Sequence, residues 1–242
     1  MPKRNLGGRR SAGSISQSHT GATVTGRSSA PLSNAPFSKM TDSEASQLRN
    51  DVDDRYEPDV LDAIKLYISD NNPNGDGFSH AQNLNYKLEH GLALNVNEKF
   101  IDKNIQLGMH DIGKNTELVR YCHDDILKAC GIKNYATLSE AQLQQKLIGT
   151  EMKTTSYTST SYDASKNPFS PGAAQGGGRE VIMNIKANNQ TQMVFGAKSQ
   201  AEIILDKGTN FRITDVKYTG GTAYPRGSIS GKPIVEITVE TF

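Results

Sequence analysis

The chain has 242 residues, of which 35% are hydrophobic, and its 27 basic and 26 acidic residues give a formal net charge of +1. This length suits one large domain or two small ones, and the mean hydropathy of −0.56 indicates that part of the chain lies outside a packed core. No apolar run reaches the roughly 18 residues that a membrane-spanning helix needs, so we expect no membrane span. The two cysteines are too few for a disulfide framework.

The first segment, residues 1–45, is rich in Gly, Ser, Thr and Ala, and residues 1–41 carry six basic residues and no acidic residue. Its few apolar residues cannot bury enough surface to offset the entropy cost of ordering, so we expect a disordered basic leader. This leader is either an ordinary flexible terminus or a segment that is threaded through a secretion or translocation channel. It lacks the apolar stretch of a Sec signal, so secretion would follow another route.

We expect residues 46–242 to form a single domain with a mildly acidic surface. Outside residues 1–41 the chain has 21 basic and 26 acidic residues, which is a net charge of −5. Nucleic-acid binding depends on basic side chains that neutralise phosphates. The charge therefore argues against a nucleic-acid partner and favours a protein partner.

The domain begins with a helical part at about residues 51–115. Its clearest signal is a set of apolar residues at helical spacing: Val60, Leu61, Ile64, Tyr67 and Ile68. Pro58 stands just before this stripe, where a first helical turn accepts proline. Further apolar stripes begin at Leu84 and Phe100.

Two segments resemble metal sites, and neither has a complete set of ligands. Residues 70–75 match the start of a calcium loop, but Ala81 stands where such a loop needs a bidentate Glu. Cys122, His123 and Cys130 lack a fourth zinc ligand and the usual Cys-x-x-Cys spacing. We therefore expect an ordinary Asn/Gly turn, two free thiols and no metal.

The strand-rich part, at about residues 116–242, opens with a strand at 117–122 and two helices at 124–130 and 139–148, the second with Ser139 as its N-cap. Alternating and β-branched patterns then predict strands at 154–161, 181–185, 192–195, 201–205, 210–216 and 233–241. Residues 167–178, with two prolines and three consecutive glycines, are expected to form a loop. Helices followed by strands indicate the α+β class, with one core formed by helices packed on an antiparallel sheet.

The stretch from Phe195 to Leu205, FGAKSQAEIIL, holds the strongest candidate for a functional site. If its second half is extended, Gln200 and Glu202 project from the same side of a strand, about 7 Å apart. Upstream lie the hydroxyl-rich run at 159–161 and the isolated Arg120. A carboxylate and an amide held at this separation beside a turn could act on two reacting partners at once.

In this order (Arg, then Ser-Thr-Ser, then Gln-x-Glu before an aliphatic strand) the set resembles the toxin-like mono-ADP-ribosyltransferases of the Arg-Ser-Glu clade, over roughly residues 60–240. The resemblance implies N-terminal helices packed on a mixed, mainly antiparallel β-sandwich core. It also implies transfer of ADP-ribose to a protein, with NAD as a substrate. Breaking the bond between nicotinamide and ribose creates a cationic sugar, so such a site needs nearby negative charge and a cationic grip on the diphosphate.

The resemblance assigns the reaction to four residues. Glu202 corresponds to the Glu that hydrogen-bonds the ribose 2′-hydroxyl and stabilises the cationic transition state, and Gln200 to the residue that orients the acceptor. Arg120 corresponds to the Arg that clamps phosphate through charge-assisted hydrogen bonds. Ser159 corresponds to the Ser that positions the catalytic Glu.

The resemblance also implies further contacts with NAD. Thr160 and Ser161 are expected to brace the strand that carries the serine. On a mobile loop, Phe169 is expected to lie over nicotinamide and Arg179 to bind the phosphates. Asn85, in the sequence LNYKL, corresponds to a helical Asn that contacts NAD.

Two positions depart from the family pattern. Glu89 stands where the helix usually carries a second Arg, so another group must contact the adenosine phosphate. Tyr121 replaces the Gly whose backbone holds the nicotinamide amide, which leaves that contact to a different residue type.

The acceptor is expected to be a side chain other than arginine, because the amide of Gln200 cannot pair with a guanidinium as a carboxylate does. Similar enzymes with Gln-x-Glu include one that modifies an asparagine of Rho and toxins that modify guanine in DNA. With an acidic domain, we expect a host protein, actin or a Rho-family GTPase, modified at Thr, Asn or Gln.

The leader joined to a small transferase resembles the C-terminal hypervariable effector of insecticidal Tc toxin complexes. That resemblance implies delivery of the unfolded chain by a translocation complex, secretion without a Sec signal peptide and action in the host cytosol. Two alternatives stay open: a phage or interbacterial transferase that acts on bacterial protein or nucleic acid, and a non-catalytic interaction module.

Overall fold

The computed structural model describes residues 21–28, 36–75, 77–170, 178–225 and 230–242. The helices in these ranges are α1 (Asp42–Asp53), α2 (Pro58–Tyr67), α3 (His80–Glu89), α4 (Val96–Gly108), α5 (Asp125–Ala129) and α6 (Glu140–Leu147). The strands are β1 (Ala22–Arg27), β2 (Ser38–Lys39), β3 (His110–Asp111), β4 (Thr116–Cys122), β5 (Thr150–Thr154), β6 (Thr158–Ser161), β7 (Val181–Ala187), β8 (Gln192–Phe195), β9 (Glu202–Leu205), β10 (Asn210–Ala223) and β11 (Lys232–Thr241). Short 3-10 turns lie at Tyr135–Thr137, Ala164–Lys166 and Lys198–Gln200.

The helix starts follow from side chains that satisfy the free amides of the first turn. Thr41, Ser79, Asn95 and Ser139 each accept a hydrogen bond from the third helical amide, and the side chain at that position bonds back to the cap. The predicted N-cap Ser139 and the first-turn Pro58 of α2 are confirmed.

The strands of the described residues form one hydrogen-bonded sheet in the order β1-β5-β10-β11-β7-β4-β6-β9-β8-β3, with β2 beside β4. Neighbours run antiparallel except β11 with β7 and β2 with β4. β4 joins β6 through one residue pair, Val119 with Ser161, whereas it pairs with β7 along its whole length. The sheet therefore divides at the β4–β6 junction, and the predicted α+β class with a mixed, mainly antiparallel sheet is confirmed.

Strands β8 and β9 are buried on both faces, because they lie between two layers. On one face Met193, Phe195 and Ile203 belong to the large core that also contains side chains of β4, β7, β10 and β11. On the other face Val194 and Ile204 belong to a second core with α2, α3 and α4. Its other buried members are Val60, Ala63, Ile64, Tyr67, Leu84, Ile101, Ile105 and Tyr157. This layering brings α2 and α3 against the strands that carry the candidate site.

Part of the predicted leader is built into the fold, which corrects the expectation of disorder for residues 22–27 and 38–45. β1 pairs antiparallel with β5, and Arg27 donates to the carbonyls of Gln145 and Ile148 at the end of α6. The apolar content of β1 is low, but pairing along the edge of a sheet uses backbone groups that are independent of side-chain type. Residues 1–20 and 29–35 of the predicted leader lie outside the described residues.

Among the helices of the described residues, none combines the length and apolar character needed to cross a membrane. Across the same residues, no group of three or more His, Cys, Asp or Glu side chains is arranged to hold a metal ion. Cys122 and Cys130 are free, and burial raises the pKa of each thiol to about 11.

Candidate active site

An open cleft of about 450 Å³ lies where α2 and α3 meet the ends of β4, β6 and β9. Its lining includes nine of the ten site residues proposed from the sequence: Asn85, Arg120, Tyr121, Ser159, Thr160, Phe169, Arg179, Gln200 and Glu202. The tenth, Ser161, lies just behind the wall and is 1% exposed. Residues that are up to 117 positions apart in the chain thus surround one space of the size of an ordinary ligand site.

Glu202 is the first residue of β9, and its carboxylate is held by the turn that connects β8 to β9. The Ala197 amide donates to Glu202 Oε2 at 2.8 Å. Burial raises the pKa of this carboxyl group, while the Ala197 amide, the Ser159 hydroxyl and the charges of Arg120 and Arg49 oppose that rise. The surroundings therefore supply partners for an anion in a desolvated position.

Gln200 does not lie on a strand, which corrects the argument that placed it beside Glu202. Residues Lys198–Gln200 form a 3-10 turn, and Ala201 adopts a left-handed conformation with φ of 49° before β9 begins. The connection between β8 and β9 passes through the left-handed residue Ala201, so the alternation of the strand cannot extend back through it to Gln200. Gln200 and Glu202 nevertheless both line the cleft, because Ser161 donates to the Gln200 carbonyl at 2.9 Å and anchors the turn.

The Ser-Thr-Ser run forms most of β6 and fixes its register against β9. Thr160 donates from Oγ1 to the carbonyl of Ile203 at 2.8 Å, and Ser161 pairs with Glu202 in the ladder. The hydroxyls of Thr160 and Ser161 are buried and point to partners in the neighbouring segment. Ser159 lines the cleft, and alternation along the strand points its side chain away from that of Thr160.

Arg120 extends from β4 across the β4–β6 junction. Its Nη1 donates to the carbonyl of Ser159 at 2.7 Å, so the guanidinium connects the two parts of the sheet. Its Nε is buried and has no hydrogen-bond partner among the described residues. Because a buried N–H without a partner is unfavourable, this Nε favours the binding of a ligand that supplies an acceptor, such as an oxygen of an anion.

Arg179 and Phe169 lie together on the cleft wall, with the guanidinium of Arg179 4.7 Å from the centre of the Phe169 ring. Burial lowers the pKa of Arg179, and repulsion from Arg120 adds to that effect. Both arginines line the same cleft, and their like charges repel each other there. Tyr121 is partly buried beside them, and residues 171–177 of the predicted loop lie outside the described residues.

Asn85 of α3 uses its amide to hold the backbone of the opposite wall. Its Oδ1 accepts from the Tyr157 amide at 3.2 Å, and its Nδ2 donates to the Tyr157 carbonyl at 3.2 Å. Glu89, one turn further along α3, accepts from the Gly21 amide at 3.1 Å and from the Ser156 hydroxyl at 2.9 Å. At this position, where the family pattern has an arginine, the chain thus uses a carboxylate that ties β1 to the sheet.

Sequence reasoning missed two residues around this site, Tyr67 and Arg49. The sequence pattern assigns Tyr67 only to an apolar helical stripe, and the structure places the residue on the lining of the cleft. Arg49 of α1 donates to the Gly196 carbonyl at 3.0 Å and lies 4.7 Å from the centre of the Phe195 ring. In the sequence, Arg49 is one basic residue among acidic neighbours, and only the packing of α1 against the turn shows its role.

Three solved structures show the same fold. An ADP-ribosyltransferase from Clostridium botulinum, solved in a triclinic crystal form, is 20% identical over 86% of this chain and 100% of its own, with a TM-score of 0.58. Plx2a, an ADP-ribosyltransferase toxin from Paenibacillus larvae, is 14% identical over 84% of this chain and 98% of its own, with a TM-score of 0.60. C3stau2 from S. aureus, solved with NAD, is 18% identical over 86% of this chain and 99% of its own, with a TM-score of 0.55.

No curated protein sequence matches the chain. A family model for the ADP-ribosyltransferase exoenzymes matches residues 38–230, which is well over half of the chain. That range contains the cleft and every site residue proposed from the sequence. The chain therefore belongs to the ADP-ribosyltransferase exoenzyme family.

Proposed function

We propose that the chain is a toxin effector that transfers ADP-ribose from NAD to a host protein, with Glu202, Gln200, Ser159 and Arg120 as its catalytic residues. The observation that carries this proposal is that all four line one cleft. Membership of the exoenzyme family supports ADP-ribose transfer. The NAD bound to C3stau2, which has the same fold, supports NAD as the substrate.

The charges of the cleft suit the diphosphate of NAD. Arg120 and Arg179 are close enough for the charge of Arg120 to lower the pKa of Arg179. An anion between two guanidiniums removes this repulsion and forms charge-assisted hydrogen bonds with both. We assign both arginines to the diphosphate, with Phe169 and Tyr121 beside the nicotinamide and Asn85 on the facing wall.

In the proposed reaction, the bond between the nicotinamide nitrogen and ribose C1 breaks, and its electron pair leaves with neutral nicotinamide. Positive charge develops on the ribose, and the carboxylate of Glu202 stabilises it. The Ala197 amide holds this carboxylate in place through a hydrogen bond of 2.8 Å, and the amide and the Ser159 hydroxyl both favour its ionised form against the effect of burial. The acceptor then bonds to C1 and releases its proton to water, and Gln200 orients it.

We propose a Thr, Asn or Gln side chain of actin or a Rho-family GTPase as the acceptor. The support is the amide of Gln200 at the cleft, which can hydrogen-bond a hydroxyl or an amide. Delivery by a translocation complex and action in the host cytosol belong to the same proposal. They rest on the basic composition of the N-terminal segment.

Incubation of the purified chain with labelled NAD and a host-cell lysate tests this proposal. We expect the label on a protein of the size of actin or a small GTPase, and mass spectrometry then identifies the modified residue. Label on DNA or RNA would contradict the protein target. If neither the wild type nor Glu202→Ala hydrolyses NAD, with or without lysate, the chain is an interaction module.

A further inference from the structure

Arg49 of α1 is half-buried, and its side chain contacts the turn between β8 and β9. Its Nη1 donates to the carbonyl of Gly196 at 3.0 Å. Its guanidinium carbon lies 4.7 Å from the centre of the ring of Phe195, a residue that is 2% exposed. The hydrogen bond and the aromatic face together hold the guanidinium in one place. Arg49 does not line the cleft, so it acts on the site through the turn.

The carbonyl that Arg49 holds belongs to the same peptide group as the amide that holds Glu202. Gly196 supplies the oxygen of this group, and Ala197 supplies the nitrogen, whose N–H donates to Glu202 Oε2 at 2.8 Å. A trans peptide group is planar, and its C=O and N–H point in opposite directions. Because the group is rigid, a bond that orients the carbonyl also orients the amide. Arg49 and Glu202 therefore lie at the two ends of a single peptide group.

Gly196 gives this peptide group little restraint of its own. The glycine leaves space for the carboxylate, since a Cβ at this position would lie 2.3 Å from Glu202 Oε2. With no Cβ, however, glycine allows the backbone next to it a wide range of rotation. The bond from Arg49 supplies a restraint that a side chain at position 196 cannot supply, because that side chain would displace the carboxylate.

The charges at the two ends of the peptide group favour the same orientation. The guanidinium lies at the carbonyl oxygen and the carboxylate at the amide hydrogen, so each end meets a charge opposite to its own partial charge. A cation at the oxygen also polarises the group and makes its N–H a stronger donor. The charge of Arg49 further favours the ionised form of Glu202 and opposes the rise in its pKa that burial causes.

We propose that Arg49 is a positioning residue for the reaction: it fixes the peptide group of Gly196 and Ala197, and this group holds the Glu202 carboxylate at the cleft. The helix α1 is anchored for this role by side chains that are buried in the large core. This inference rests on the proposed ADP-ribose transfer, because it assigns a role within that reaction.

Arg49→Met removes the charge and the donor and keeps an unbranched side chain that covers the Phe195 ring. Without the guanidinium, the peptide group is free to rotate, and its amide holds the Glu202 carboxylate less firmly. We expect kcat for NAD hydrolysis to fall about tenfold or more. We expect KM for NAD to stay near the wild-type value, because the variant changes no residue of the cleft lining and weakens an interaction that acts in the transition state.

The matched control is Val52→Ala, in the same helix. Val52 is 6% exposed and belongs to the large core, so its truncation weakens the packing of α1 and leaves the bond from Arg49 to Gly196 in place. We expect a lower thermal midpoint, and wild-type kcat and KM when the assay is run well below that midpoint. The comparison separates a loss of helix packing from a loss of the restraint on the peptide group.

Hydrogen exchange of the Ala197 amide, followed by NMR, provides the sharper test because it needs no turnover. In Arg49→Met we expect this amide to exchange about tenfold faster or more. The Gly196 amide belongs to the preceding peptide group and donates to the Glu202 carbonyl at 3.1 Å, so we expect it to keep its rate.

An unchanged exchange rate of the Ala197 amide, or wild-type kcat in a folded Arg49→Met, would overturn the inference. Absence of NAD hydrolysis in the wild type would instead contradict the proposed function, and the exchange rates would still test the link from Arg49 to the Ala197 amide. The two failures are therefore distinguishable.

Discussion

At the scale of single residues, the carboxylate of Glu202 accepts a hydrogen bond from the Ala197 amide at 2.8 Å and has a pKa raised by burial. Water solvates such an anion better than this position does, so the ionised form lowers the stability of the fold. The same desolvation strengthens the interaction of the anion with a developing cation in the cleft. The position thus combines a cost in stability with a gain in catalysis.

Glu202→Gln should separate these two effects. We expect NAD hydrolysis to fall by about 100-fold or more, because one electrostatic contact in a transition state contributes about 3 kcal/mol. A carboxyl group whose pKa is higher in the folded state destabilises the fold as pH rises above its unfolded value. The variant should therefore have a higher thermal midpoint than the wild type at pH 7, and the difference should shrink as pH falls toward 4.5, the ordinary pKa of Glu. Equal midpoints at both pH values would contradict this account of the carboxyl group.

A substitution of Gln200 should separate two activities, the hydrolysis of NAD and the transfer of ADP-ribose to the acceptor. Its side chain lines the cleft, while its backbone carbonyl is anchored by Ser161. We expect Gln200→Ala to keep NAD hydrolysis within about threefold of the wild type and to lose transfer to protein, since water does not need orienting by this amide. Labelled NAD with and without lysate measures both activities. A parallel fall in both would show that Gln200 acts on NAD itself.

At the scale of elements, the site depends on the turn between β8 and β9. The turn is closed by bonds from the Gly196 amide to the Glu202 carbonyl and from the Glu202 amide to the Ala197 carbonyl, both at 3.1 Å. Ala201 adopts a left-handed conformation within it. The extended pattern of the sequence correctly predicts β8 and all of β9, but the predicted strand begins one residue early at Ala201, and turn geometry keeps Gln200 out of the strand. Alternation alone could not show this, because the sequence has neither Gly nor Asn at the left-handed position.

Gly196→Ala tests how closely the turn fits the carboxylate. A Cβ at this position would lie 2.3 Å from Glu202 Oε2, which no real Cβ contact allows, so the carboxylate must move. A displacement of about 1 Å in a catalytic group costs on the order of 100-fold in rate, and we expect a loss of this size in NAD hydrolysis. Gly91→Ala is the control, since a Cβ there meets nothing within 4 Å. It should lose some stability through its φ of +62° and keep its activity. Wild-type activity in Gly196→Ala would contradict the close fit.

At the scale of the whole molecule, the cleft exists because three layers meet beside it. The helices α2 and α3 cover one face of β8 and β9, and the rest of the sheet covers the other. At one end of the sheet, β1 pairs with β5 and is tied to α3 through Glu89. The segment 21–28 therefore contributes to the fold around the cleft, although its composition resembles that of a leader.

Two truncated chains should show which part of the N-terminal segment contributes to the stability of the fold. A chain that begins at residue 21 should unfold at the temperature of the full chain. A chain that begins at residue 36 loses β1 and the bonds of Arg27 to the end of α6. With net contributions of about 1 kcal/mol for each lost hydrogen bond, we expect its thermal midpoint to fall by about 5 °C or more. Equal midpoints for both truncations would show that β1 adds nothing to stability.

The sequence by itself determined the fold class, most strands and the residues of the candidate site, because apolar periodicity and the order of Arg, Ser-Thr-Ser and Gln-x-Glu are local properties of the chain. Only the tertiary structure decided which of these residues share a cleft and which side chains support them. Tyr67, Arg49 and Glu89 act through partners that are 18, 147 and 68 positions away in the chain. Contacts of that kind depend on how the layers pack, and no pattern within a single segment encodes them.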